Sequence, residues 1–235
     1  MTERTGSVSR KTNETDITVL LDLDGTLIET DNRWAAQLAR RIAPLRRVAP
    51  RMDADRVARD LVMAIEGPSN YAVAIMERLG LSNMVSGLAD RVRRSKGLAT
   101  RDASEMVEGT HRLLEGLRNR YRLAVVTTRA RPEAMAFLEH MGVATYFQAV
   151  VTRQDVFYLK PHPEPVRKAA AMLGVPPERC IMIGDTTMDV LSARRAGAVA
   201  VAVTSGFGTQ RELERAKADL VLDRAAQLLD HLPTA

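Results

Sequence analysis

The chain has 235 residues, 46% hydrophobic and 27% charged, enough to bury one full domain and a smaller insert. No apolar run approaches the ~20 residues that span a bilayer, the opening stretch lacks the apolar core of a secretory signal, and the single cysteine, Cys180, cannot form an internal disulfide. These features predict a cytoplasmic protein without a membrane partner. Net charge is +5, but the excess is arginine spread over expected helices such as Arg40-Arg41, Arg46-Arg47 and Arg91-Val92-Arg93-Arg94; with aromatics at 4%, nucleic acid is not an expected partner.

Residues 1–16 are polar and Ser/Thr-rich and read as a flexible tail. The apolar run from Ile17 to Leu21 then predicts a buried strand that stops abruptly at Asp22-Leu23-Asp24-Gly25-Thr26. Two carboxylates this close repel unless a cation or a shared proton compensates them. In an open α/β sheet they would stand at the carboxyl ends of the strands, where ligands bind. The pair suggests a metal-assisted acid/base or nucleophilic site; an acidic turn with Gly25 at positive φ is the alternative.

From Asp31 to about Arg120 the texture is helical, with expected helices at Asn32–Val48, Ala54–Glu66, Tyr71–Leu79, Met84–Arg94 and Ala103–Leu117. Breaks fall at Ala49-Pro50, Gly67-Pro68-Ser69-Asn70, Gly80 and Lys96-Gly97. The reading is an all-helical insert over residues 31–120 within a core made of 17–30 and 121–235. Arg33, Trp34, Asn70 and Tyr71 are its candidates for touching a substrate, with ordinary surface or packing roles as the alternative.

Strands resume at Leu123–Thr127, Phe147–Val151, Cys180–Ile183, Val199–Val203 and Leu220-Val221, alternating with helical segments such as Pro132–Met141, Glu164–Leu173 and Val190–Ala196. Alternating β and α predicts an α/β fold: a Rossmann-like, doubly wound parallel sheet covered on both faces. Three of these strands also run into polar residues. Leu123-Ala124-Val125-Val126 leads to Thr127 and Thr128, which can cap a helix or donate to a phosphate. Lys160 precedes a proline and should sit in a stiff, non-helical segment, Leu159-Lys160-Pro161-His162-Pro163. Cys180-Ile181-Met182-Ile183-Gly184 ends in Asp185, and a helix starting near Thr186 would bring Asp189 back to the same end. Four carboxylates, a lysine and hydroxyls from four strand ends, with few histidines, point to Mg²⁺ rather than zinc.

Taken together, these stretches resemble the four motifs of the haloacid dehalogenase-like (HAD) superfamily: Asp22-Leu23-Asp24-Gly25-Thr26, Thr127, Lys160, and Gly184-Asp185 through Asp189. Lys160-Pro161-His162-Pro163, with Thr204-Ser205-Gly206-Phe207-Gly208 and Ala218-Asp219-Leu220-Val221-Leu222-Asp223, looks like the phosphoglycolate phosphatase branch, with the helical insert in the place of its C1-type cap. Thr128 and Ser205-Gly206-Phe207-Gly208 depart from that branch's usual residues. The resemblance implies Asp22 as nucleophile and Asp24 as general acid/base, with Mg²⁺ on Asp22, the backbone carbonyl of Asp24, and Asp185. Asp189 would orient Lys160 or metal-bound water, and Thr127, Thr128 and Lys160 would hold the substrate. Since a halide leaves without a proton, the presence of Asp24 favours phosphoryl transfer over dehalogenation. The expected enzyme is a Mg²⁺-dependent phosphatase acting on a small phosphorylated metabolite, first 2-phosphoglycolate, as a monomer or homodimer. A pyrophosphatase, another sugar- or nucleotide-phosphate phosphatase, a phosphomutase, and a non-catalytic binding module are the alternatives.

Overall fold

Six strands form one sheet: β1 (Thr18–Leu21), β2 (Arg122–Val126), β3 (Ala149–Val151), β4 (Cys180–Gly184), β5 (Val199–Val203) and β6 (Leu220–Leu222). The structure, a computed structural model, describes residues 17–29, 40–41, 43–44 and 105–232. Most of the expected insert, the expected tail, and the candidates Arg33, Trp34, Asn70 and Tyr71 lie outside the described residues.

Every strand pair is parallel, in the order β3-β2-β1-β4-β5-β6. This is the expected α/β architecture. Winding reverses at β1, whose neighbours are β2 on one side and β4 on the other, with Leu21 opposite both Val125 and Ile183. A doubly wound sheet opens a crevice at that reversal, beyond the carboxyl ends of the strands. Asp22, Thr127 and Asp185 each directly follow one of these three central strands. Two of them continue the ladder: the Asp22 N–H donates to Ile183 O (2.9 Å) and the Thr127 N–H to Val151 O (2.9 Å).

Because helices cover both faces, the strands are apolar on both sides rather than alternating with polar residues. Val19, Leu21, Leu123, Val125, Ile181 and Ile183 point to one face. There they meet helices Thr110–Arg118 and Arg131–His140 and the final turn at Ala225–Asp230. Leu20, Ala124, Val126, Met182, Ala200 and Ala202 point to the other, against helices Glu164–Met172 and Thr187–Ala196. Small alanines dominate this second layer and let the helices approach closely. Helix Thr187–Ala196 starts where a helix beginning near Thr186 was expected, and Thr186 and Asp189 form its capping box. Among the described residues, no helix is long and apolar enough to cross a membrane.

The last helix assigned by sequence to the insert lies on the sheet. Leu113, Leu114 and Leu117 of Thr110–Arg118 are fully buried in the core. Its amphipathic pattern is the same whether it covers a sheet or another helix, so periodicity alone cannot place it. The segments flanking the insert run side by side: the Glu29 N–H donates to Glu105 O (2.8 Å) and the Val107 N–H to Leu27 O (3.0 Å). If the helix belongs to the core, Leu114→Ala will cost about 2–5 kcal/mol in urea unfolding; a loss under ~1 kcal/mol would detach it from the core.

Candidate active site

Charged side chains that follow β1, β3 and β4 meet at one spot. Lys160 lies in a turn after β3, closed by the His162 N–H donating to Leu159 O (2.9 Å), with a cis Lys160–Pro161 peptide. Its buried ammonium donates to Asp22 Oδ1 (2.9 Å), Asp189 Oδ1 (2.5 Å) and Val126 O (3.1 Å). An ammonium has three protons, and all three are committed. In this arrangement Lys160 fixes Asp22 and Asp189, and can meet a phosphoryl oxygen only by releasing one of these acceptors.

Asp189 serves two partners. While Oδ1 takes Lys160, Oδ2 accepts from the Thr186 backbone N–H (3.1 Å) and hydroxyl (2.5 Å), capping the helix. The carboxylate is thereby held in one rotamer, with an oxygen toward Lys160. One carboxylate thus both caps the helix and holds Lys160.

Asp185 is held differently. It is 1% exposed, and its Oδ2 accepts the Phe207 N–H (2.7 Å). Gly25, at φ 74°, and Gly206 pack on this carboxylate so closely that a Cβ on either would overlap it. The Ser205 hydroxyl donates to Gly25 O (2.6 Å), tying the loop after β5 to the loop after β1. The Ser205-Gly206-Phe207-Gly208 loop, noted in the sequence only as a family likeness, is thus the clamp on Asp185.

Carboxylate oxygens of Asp22, Asp185 and Asp189 lie within 4.8 Å of one another. Burial pushes the Asp22 carboxyl up to about 7; Lys160 opposes the rise, and Asp189 and Asp24 add to it. Asp185 is pushed well above the ordinary carboxylate range, again by burial first and then by Asp189 and Asp22. Burial lowers Lys160, but Asp189 and Asp22 more than offset it and raise the ammonium above its ordinary value. Three carboxylates therefore face one cation. An all-oxygen donor set short of positive charge fits a hard divalent cation.

The Asp24 carboxylate is not one of this group of three. Arg129, just past β2, grips it with Nε to Oδ2 (2.8 Å) and Oδ1 (3.2 Å) and with Nη2 to Oδ1 (2.5 Å). Arg129 is not among the candidate residues that the sequence picks out. Pairing of β1 with β2 brings together residues 105 apart in the chain, and no local pattern reports that. Thr127 is buried and its Oγ1 accepts the Arg129 N–H (3.1 Å); Thr128 follows, half-buried. Cys180 is buried at the far end of β4, its thiol pushed up to about 12 by burial, and plays no part in the site.

A family model described as haloacid dehalogenase-like hydrolase matches residues 19–203, which include Asp22, Asp24, Thr127, Arg129, Lys160, Asp185 and Asp189. The chain belongs to the haloacid dehalogenase-like hydrolases and is an enzyme of that class. Pyrophosphatase PpaX of Bacillus cereus (strain AH820) is 31% identical over 213 residues, covering 90% of this chain and 94% of the relative. Among solved structures, a hydrolase from Pseudomonas syringae superposes with TM-score 0.63 at 26% identity, covering 92% of this chain and 97% of its own. A predicted phosphoglycolate phosphatase from Haemophilus somnus gives TM-score 0.64 at 24% identity over 93% and 98% of the two chains, a likeness of fold alone.

Removing the ammonium tests this electrostatic balance. With a folded value near 7 against 3.8 ordinarily, Asp22 holds in the folded protein a proton that the unfolded chain has lost, so its contribution to stability falls as pH rises through that window. Lys160→Met raises the folded value further and extends the fall. In metal-free buffer the variant is expected to lose about 3–5 kcal/mol near pH 8, and less near pH 5, where the carboxyls take up protons. An equal loss at both pH values would contradict this reading.

Proposed function

We propose that this hydrolase is a phosphatase acting on a small phosphate ester through an aspartyl-phosphate on Asp22. The observation that carries the reading is the Lys160 ammonium, held at 2.9 Å from Asp22 Oδ1 within a crowd of buried carboxylates at the switch point of the sheet. The lysine fixes one Asp22 oxygen and leaves the other for attack on phosphorus. Asp22 forms its oxygen–phosphorus bond as the bridging P–O bond breaks, and Asp24 gives the leaving oxygen a proton. Water then attacks phosphorus, returns a proton to Asp24, and Asp22 leaves as a carboxylate.

Mg²⁺ is the proposed cation, held by Asp22, the Asp24 backbone carbonyl and Asp185, where it would neutralise charge between the nucleophile and the phosphate. Asp189 acts through Lys160, which its Oδ1 orients. Thr127 and Thr128, at the end of β2, are the proposed hydroxyl donors to the phosphoryl group. Residues 31 to about 104 would form the cap that closes over the leaving group and excludes water.

Two substrates lead. 2-Phosphoglycolate is supported by the resemblance of the Lys160-Pro161-His162-Pro163 stretch to the phosphoglycolate phosphatase branch. Pyrophosphate is supported by the likeness to pyrophosphatase PpaX over 90% of the chain. Phosphate release with Mg²⁺, measured across phosphoglycolate, pyrophosphate, sugar phosphates and nucleotides, separates them through kcat/KM. Asp22→Asn should retain the fold and lose about 10³-fold or more in kcat. Turnover near that of the parent protein would contradict the covalent route.

A further inference from the structure

Arg129 engages both oxygens of Asp24. A general acid must present an oxygen, with its proton, to the leaving group. The guanidinium fork holds the plane of the carboxylate through both oxygens, so turning one of them, with its proton, toward a leaving group takes it off at least one of these N–H donors. The pair lies at the partly open edge of the site, with side chains 23% exposed for Arg129 and 34% for Asp24, within reach of an incoming ligand. The base of Arg129 is anchored by its own N–H on Thr127 Oγ1 (3.1 Å), and its guanidinium lies 5.9 Å from the Phe137 ring centroid. Only the head of the side chain has to move.

A guanidinium leaving a bidentate carboxylate is best satisfied by another planar or phosphoryl oxyanion. In the phosphatase reading above, the scissile phosphoryl group would lie on the Asp22 side, beside Lys160. The leaving group must lie on the Asp24 side, because Asp24 protonates its oxygen. An anionic group one or two bonds beyond that oxygen would meet Arg129.

We infer that Arg129 is a specificity residue: it exchanges Asp24 for a second anionic group on the leaving side of the substrate, selecting phosphate esters or anhydrides whose leaving group is charged. This rests on the phosphatase reading above. Such a substrate draws off Arg129 and frees Asp24 to turn toward the leaving oxygen, to which it gives its proton as the P–O bond breaks and the Asp22–phosphorus bond forms. A neutral leaving group leaves the Arg129–Asp24 pair closed and reacts slowly. Glycolate and orthophosphate, the leaving groups of the two leading substrates, both carry the required charge, as carboxylate and as phosphoryl oxygens.

The experiment compares kcat/KM for 2-phosphoglycolate, pyrophosphate and the neutral comparator 2-hydroxyethyl phosphate, using the full chain with Mg²⁺. The parent protein is set beside Arg129→Met and Arg129→Lys. The parent should prefer at least one charged substrate over the neutral one, and which one distinguishes carboxylate from phosphoryl. Arg129→Met should reduce that preference about 10- to 100-fold, the worth of a lost charge-assisted hydrogen bond. Arg129→Lys, which keeps the charge but not the fork, should fall between, and it carries the comparison if the methionine variant does not fold. A preference unchanged in both variants, with all three substrates slowed alike, would overturn the inference and leave Arg129 as a structural partner of Asp24. A parent without the preference would overturn it equally. Phosphate release from none of the panel would instead overturn the phosphatase reading, and the inference with it.

Discussion

The Lys160 ammonium is the group on which the rest of the site depends. Buried with Asp22 and Asp189, and with Val126 O as its third acceptor, it joins β1, β2 and the helix after β4 through one nitrogen. A buried charge of either sign is expensive to hold, and a pair is tolerated only with good geometry and satisfied hydrogen bonds. Both conditions hold for Lys160 and Asp189. They hold only in part for Asp22 and Asp185, whose raised proton affinities show that one lysine does not balance three buried carboxylates. The site holds an electrostatic deficit, and such a deficit is what a divalent cation and an anionic substrate can be bound against.

The fold makes that deficit sustainable. Parallel strands covered on both faces place the backbones of β1, β2 and β4 side by side, with no freedom to splay. Their ends therefore converge whatever the side chains prefer. Glycines on two loops then let the backbone close on Asp185, and the Phe207 N–H compensates part of its charge. The arrangement is prepared before any ligand arrives, as electrostatic stabilisation of a transition state requires. Asp24 is the exception. Its engagement by Arg129 leaves the proposed proton carrier out of position until something displaces the guanidinium.

Much of this was legible from the residues. Apolar runs such as Leu123–Val126 and Cys180–Ile183 can hardly be anything but buried strands when glycines, prolines and charges bound them, and all six expected strands are present. A charge set at the end of such a run is equally visible, so Asp22, Lys160, Asp185 and Asp189 could be singled out before their contacts were seen. What sequence could not show follows from adjacency and backbone. The Arg129–Asp24 grip needs the β1–β2 pairing, and the Phe207 contact uses a main-chain N–H, common to every residue but proline. Helix Thr110–Arg118 was assigned to the insert because an amphipathic stripe does not say what it covers.

The central claim is that three buried carboxylates around one lysine form a site completed by a divalent cation. Calorimetric titration of the metal-free protein with Mg²⁺, at neutral pH and in buffers of different ionisation enthalpy, tests it most directly. A single site per chain is expected, its binding accompanied by proton release, since burial raises the proton affinities of Asp22 and Asp185 and a cation opposes that rise. Asp185→Asn should weaken or abolish that binding. Absence of Mg²⁺ binding to the folded protein, or binding indifferent to Asp185→Asn and free of proton release, would contradict it.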